Sequence, residues 1–283
     1  HLMNKPQTAV RGNHFGAIAM AAAIIITLFK TGVLTLPLLW ASMTLGALLG
    51  LFLATRVKMI QMPQMVALLH GFGGTAAVLV ASLVLLSGAE TEFFGRITAE
   101  IALIVGGLTA TGSFVAAGKL HQVLPQKPIV LERHSLYTSA LLAVIAVMFL
   151  IVCASGAPSP FYAVMLTLLA SLSFGALFTV RVGGADMPIT ISLLNSLSGV
   201  AEAAAGMAIG DPLLVAVGGI VGTSGLILTQ IMCRAMNRNL ADILLGKTSV
   251  AGIKAAPEAK PEAAESSTPA AADAPPAEIS DEG

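Results

Sequence analysis

Charge is scarce in this chain. Of its 283 residues, 11% are charged and 56% are hydrophobic. Water-soluble domains carry about 25% charged residues. A soluble globular fold is therefore excluded, and the composition is that of a membrane protein. Cysteine is scarcer still, with only Cys153 and Cys233. Two isolated thiols exclude a disulfide framework and show no metal-ligand spacing, so no metal is expected. Both fall in apolar runs, where a small thiol packs like any other side chain. The formal net charge is zero, and no nucleic-acid partner is expected. The chain opens at His1 rather than at a methionine and shows no signal-peptide pattern; His1-Leu2 reads either as an added remnant or as the edge of a fragment and is left out of the fold reasoning.

What the chain does have is long uncharged runs between short charged clusters. They read as eight membrane helices at about 15–29, 34–54, 63–86, 97–117, 137–154, 161–180, 188–209 and 213–233, near the roughly 20 residues needed to cross the hydrocarbon layer. The expected fold is an all-α membrane bundle with three parts: an N-terminal segment over 1–14, a transmembrane domain over 15–245 and a disordered linker over 246–283. The last stretch is rich in Ala, Pro and Glu and cannot bury a core.

An even number of spans puts both termini on one side. Thirteen of the fifteen Lys and Arg residues then fall on that side, and only Lys30 and Arg96 on the other. The excess of positive charge marks the cytoplasmic face, so both termini are expected there. The charged loops also hold His14, His121 and His134, which are read as solvated.

Two helices begin alike. Met62-Pro63 opens a run that reaches Leu68-Leu69-His70, and Met187-Pro188 opens one that reaches Leu193-Leu194-Asn195. Proline suits a first helical turn. Seven residues at 1.5 Å each is about 10 Å of depth, so His70 and Asn195 are expected at one level. A titratable ring beside a hydrogen-bonding partner inside a membrane points to a proton path, although a neutral histidine bonded to a neighbouring helix is the plainer alternative. Gly71, Gly73 and Gly74 suit close helix packing around it.

Asn195, Ser198 and Glu202 form one polar stripe on the seventh helix. Such a stripe lines a cavity or serves as a hydrogen-bonded seam. Glu202 is read as the only acid deep within a span. Ser113, in Thr109-Ala110-Thr111-Gly112-Ser113, either faces the path or bonds its own backbone. Asp186 stands just before Met187-Pro188, where it caps the helix or gates the face. Gly222-Thr223-Ser224-Gly225 reads as packing, and Gly183-Gly184 is too short for a dinucleotide fingerprint.

Four stretches resemble one known family. The longest is Arg181-Val182-Gly183-Gly184-Ala185-Asp186-Met187-Pro188-Ile189-Thr190-Ile191-Ser192-Leu193-Leu194-Asn195-Ser196-Leu197-Ser198-Gly199. It is similar to the hallmark of the β subunit of proton-translocating NAD(P) transhydrogenase. Met62 to His70, Thr111 to Leu120 and Ile231 to Arg238 carry the same likeness, which extends over about residues 11–245.

The resemblance implies a role in coupling inward proton movement to hydride transfer from NADH to NADP⁺. It places the family's membrane histidine on His70, its asparagine on Asn195, a channel serine on Ser113 and its loop aspartate on Asp186. Arg181 and Asp186 fall in the coupling loop, and Glu202 stands where many relatives have a small apolar residue. It further implies NADP(H) and NAD(H) in the complete complex with none bound to this chain, and no catalytic residue here. Expected partners are an α subunit, a second αβ unit and the lipid of a bacterial inner membrane. Relatives have nine spans in this region and a soluble NADP(H)-binding domain; the first span and that domain are expected to lie outside this chain. Two other readings stand beside this one: a proton-coupled secondary transporter built on the Met-Pro pair, and a membrane anchor in which His70 and Glu202 only hold helices together.

Overall fold

The computed structural model describes residues 6–87, 92–129, 132–155 and 159–240. The expected linker over 246–283 lies outside these residues, as do Lys5, Lys247, Lys254 and Lys260. Eight α-helices follow one another: α1 Pro6–Thr31, α2 Pro37–Arg56, α3 Met62–Leu86, α4 Phe93–Leu120, α5 His134–Ala154, α6 Phe161–Arg181, α7 Met187–Ile209 and α8 Pro212–Ala235. There is no strand among the described residues.

Proline opens α2, α3, α7 and α8, where a missing N–H is no loss. Gly210 ends α7 at φ 69°, a left-handed conformation that suits glycine. Asp211 then caps α8, accepting from the backbone N–H groups of Leu213 at 3.0 Å and Leu214 at 3.4 Å. Several helices run past their expected ends. α1 begins at Pro6 rather than near Phe15, and α4 winds on through Lys119.

Six helices pack. α4 is the central one, touching α3, α5, α6 and α7, while α7 lies against α3, α4 and α8. Besides a small cluster of Ile189 and Cys233, two large clusters form the core among the described residues. In one, Val78, Ala81 and Leu85 of α3 meet Ala99, Ala102 and Leu103 of α4, Val152 of α5, Ala163 and Val164 of α6, and Ala204 and Ala205 of α7. In the other, Ala67 meets Ala116, Ala117, Val182, Met187, Ile191 and Leu194. The starts of α3 and α7 thus share one layer and their ends the other, so these two helices run parallel.

Seven helices are long and apolar enough to cross a membrane; α7 is the exception. Its 23 residues are diluted by Thr190, Ser192, Asn195, Ser196, Ser198 and Glu202, yet most of it is buried. α2 is the opposite. It is mostly apolar, with Ser42, Thr44, Thr55 and Arg56 its polar residues; no residue of it is buried, and its large side chains lie open, Leu38 at 79%.

Candidate functional site

Glycine contacts set the level of each polar side chain. A Cβ on Gly71 would stand 2.9 Å from the ring of Phe114. His70 and Ser113 are the chain neighbours of that pair, so they share a level on α3 and α4. A Cβ on Gly112 would stand 3.1 Å from the Leu194 side chain. This puts Ser113 and Asn195 within one residue of a common level as well. Three of the singled-out residues therefore lie at one height in the bundle, on three helices.

Their surroundings differ. Ser113 is fully buried and its hydroxyl has no partner among the described residues. His70 is half-buried. Gly73 follows it one turn later, and a Cβ there would stand 3.2 Å from Oε1 of Glu202. Residues three apart are neighbours on a helix surface, so the Glu202 carboxylate reaches α3 on the side that carries His70. Asn195 turns the other way: its amide nitrogen lies 3.0 Å from a Cβ placed on Gly225 of α8. Ser198, the middle of the expected stripe, donates back to the Asn195 carbonyl at 2.9 Å. The stripe is thus divided, with Glu202 toward α3 and Asn195 toward α8.

The α7–α8 seam is closely bonded. Ser196 donates to the Gly222 carbonyl at 2.5 Å, and the Thr229 and Ser192 hydroxyls lie 3.0 Å apart. Gly222 and Gly225 allow the approach, as the packing reading of that patch requires.

A second cluster lies at the end of the bundle where α3 and α7 begin. Asp186 occupies the N-cap position of α7 but makes no side-chain cap bond. It is 5% exposed. Its Oδ1 instead lies 3.4 Å from Nε of Arg238, an ion pair whose geometry falls short of a hydrogen bond. Lys119 is completely buried, at 0%. Its ammonium donates to the Val182 carbonyl at 2.8 Å and also to that of Val180. It ties down the carbonyl end of α6, where a cation is favoured. Arg181 is partly buried and its Nε has no partner among the described residues.

Two readings of the sequence need correction here. His134 is not solvated: it begins α5 and is 5% exposed, facing the charge of Arg181. The helix starts three residues before the expected apolar run and draws the ring in. His121 is exposed in its loop, its Nδ1 3.2 Å from the side-chain Oε1 of Gln64; His14 is exposed too, but on α1 rather than in a loop. Nor is Glu202 the only acid within a span. Glu100 of α4 is wholly buried. It lies three residues inside the expected start of its span, too near that end to stand out as a deep acid. Lys119 escaped notice for the same reason at the other end of α4. The signal that could have found it is position: it falls three residues after Ala116, in line with the buried face of α4.

The described residues contain no strand, so they do not form the strand–turn–helix cradle of a dinucleotide. The Gly183-Gly184 turn runs instead into a short 3-10 turn before α7, with the Gly184 N–H bonded to the Gln126 carbonyl at 3.0 Å.

Comparison with known proteins matches residues 1–280 to the family described as NAD(P) transhydrogenase beta subunit. Two curated relatives, both described as NAD(P) transhydrogenase subunit beta, come from Rhodospirillum rubrum and from a designated strain of that species. Each is 36% identical over 252 residues, covering 86% of this chain and 54% of the relative. The chain thus spans about half the length of the curated relatives it matches. The family model covers nearly the whole sequence, and the chain belongs to the NAD(P) transhydrogenase beta subunit family.

Proposed function

We propose that this chain is the proton-conducting membrane part of a proton-translocating NAD(P) transhydrogenase. In the complete complex, hydride passes from NADH to NADP⁺ on nucleotide-binding domains outside the described residues, as a proton moves inward. The placement of His70, Ser113 and Asn195 at one height, on helices that begin or end beside Asp186, carries this reading. A proton taken up by His70 changes the charge inside the bundle, with the Glu202 carboxylate near enough to share it. The change is felt at the Asp186–Arg238 pair and the Arg181 loop, and so by whatever docks on that face. One charge crossing 100 mV supplies about 2.3 kcal/mol, enough to drive a nearly isoenergetic exchange of hydride.

The same reading assigns the partners. They are a transhydrogenase α subunit, a second αβ unit in a homodimer, and the lipid of a bacterial inner membrane. The basic residues put the Asp186 end in the cytoplasm, with the membrane domain over 15–245 tethering an NADP(H)-binding domain through 246–283. The transporter alternative draws no support from the relatives, both named as transhydrogenase subunits. The test is proton pumping by the reconstituted complete enzyme. His70→Ala is expected to lower pumping at least tenfold, while a variant that pumps like wild type in step with hydride transfer ends the proposal.

A further inference from the structure

A polar seam separate from the one through His70 runs between α4 and α6. On α6, Thr167, Ser171, Gly175 and Thr179 recur every four residues and form a single row. The three hydroxyl side chains are fully buried. Glu100, Gly107 and Thr111 form the facing row on α4. Thr167 donates to Oε1 of Glu100 at 2.7 Å. A Cβ on Gly107 would stand 3.2 Å from the Ser171 Cβ. Thr111 donates to the Leu172 carbonyl at 2.7 Å. Thr179 Oγ1 lies 3.0 Å from a Cβ placed on Gly112. Lys119 closes the seam at the Asp186 end. At the other end Arg96, one turn before Glu100, donates to the Ser155 carbonyl.

Glu100 is the anomaly in this row. Its Oε1 has the Thr167 hydroxyl, but its Oε2 is buried with no partner among the described residues. No cation is bonded to it. Arg96 is directed at Ser155, and its Nε is itself buried without a partner. From α5 the titratable neighbour is Cys153, which senses both Glu100 and Arg96. From α6 the neighbour is Thr167. The α3 and α7 side chains clustered in this layer, Val78, Ala81, Leu85, Ala204 and Ala205, are aliphatic, and the acid of α7, Glu202, reaches α3 at Gly73 rather than in this cluster. An ionised carboxylate so placed is costly, whereas a carboxylic acid carries its own neutralising proton.

We propose that Glu100 is a second proton-binding group of the membrane domain, holding a proton on Oε2 at the Arg96 end of the α4–α6 seam. The proton arrives on Oε2 and leaves from it, and no other bond changes. Thr167 donates to Oε1 in both states and steadies the carboxylate while it is empty. Along α6, Thr167 and Ser171 stand about 6 Å apart, a spacing that a single bridging water spans; Ser171 and Thr179 stand about 12 Å apart, and the Thr111 hydroxyl of α4 faces the gap at Gly175 between them. The row can pass a proton between Glu100 and Thr179, whose Oγ1 is also without a partner among the described residues. What the site is for rests on the proton-conduction reading above; whether it holds a proton does not.

Infrared difference spectroscopy of the assembled complex in lipid nanodiscs, with pH stepped, reads the protonated carboxyl directly. Wild type is expected to show a carboxylic acid carbonyl band at neutral pH. Glu100→Gln should abolish it, and Thr167→Val should displace it by removing the hydrogen bond. A wild-type spectrum identical to that of Glu100→Gln at every pH overturns the assignment. Should Glu100→Gln fail to assemble, a Thr167→Val band at the wild-type position overturns it equally. Proton pumping then tests the transport role: Glu100→Gln is expected to pump at least tenfold more slowly, with partial recovery in Glu100→Asp. Pumping by Glu100→Gln at the wild-type rate removes that role. The band reports Glu100 whether or not His70 carries protons, so the two proposals fail separately.

Discussion

α2 and α7 invert the rule that governs soluble proteins. α2 is mostly apolar, its hydroxyls bonded to its own backbone, and it buries nothing among the described residues. α7 carries six polar or acidic residues in its length and lies at the heart of the bundle. In water the hydrophobic effect would sort them the other way. In a bilayer, lipid tails are as apolar as leucine, so apolar surface has no reason to leave the outside. What goes inside is what gains from a neighbour: small residues that let backbones approach, and hydroxyls that bond across helices. Gly199, Gly218 and Gly222 do the first on α7 and α8, and Ser192, Ser196 and Thr229 the second. Polarity marks the interior here, and it also marks the residues able to handle protons.

The comparison breaks most visibly at glycine. A Cβ on Gly199 would stand 2.8 Å from the Gly218 carbonyl oxygen and 2.9 Å from the Gly222 Cα. Both are backbone atoms that cannot swing aside. Gly199→Leu is expected to cost about 3 kcal/mol or more, seen as a large fall in melting temperature or loss of folded protein in detergent. Gly46 and Gly50 of α2 have nothing within 4 Å of an added Cβ, and leucine there should leave the melting temperature unchanged. Equal losses at both places would mean that α2 is packed as tightly as α7.

A buried cation comes next in size. Lys119→Met removes the ammonium that holds the Val180 and Val182 carbonyls. Hydrogen bonds to charged groups contribute about 1.5–3 kcal/mol, so a loss of about 2 kcal/mol is expected in denaturant or thermal unfolding. Lys30→Met on exposed α1 is the control and should show no measurable change. A Lys119→Met protein as stable as wild type would place that ammonium in water rather than in the bundle.

Why the helices were legible and parts of the site were not follows from the same physics. Apolar runs announce helices, and His70 stands out because a lone imidazole interrupts one. The pairing of Met-Pro starts also anticipated that α3 and α7 run parallel, because proline marks the end at which each helix begins. Boundaries were less legible. Apolar length measures hydrocarbon, whereas a helix continues as long as its backbone finds partners. α4 therefore runs through Lys119, whose head group finds carbonyls instead of water, and α5 starts at His134 inside what reads as a basic loop. Glu100 was hidden by Glu92 and Arg96, which make the start of α4 look like a charged turn. The division of the Asn195–Glu202 stripe was not legible at all. Seven residues apart is one helix face, but only the neighbours decide that Asn195 meets Gly225 and Glu202 meets Gly73.

The smallest expected effect tests the seam that most distinguishes α7 from α2. The Thr229 hydroxyl lies 3.0 Å from that of Ser192 and 2.8 Å from its own Gly225 carbonyl; its one proton can go to the carbonyl while Ser192 donates to it. Losing the interhelical bond leaves the threonine hydroxyl with a partner, so the cost is less than for an orphaned group. Interhelical hydrogen bonds in membranes average about 0.6 kcal/mol. A double-mutant cycle with Ser192→Ala and Thr229→Val should return a coupling near that value. Thr223→Val on the lipid side of α8, where the hydroxyl bonds only to Gly219 and Ile220 of its own helix, should couple to Ser192→Ala by nothing measurable. A coupling of several kcal/mol at Ser192–Thr229 would mean that hydroxyl pairs, rather than glycine contacts, hold α7 in place, and the ranking of these three effects would reverse.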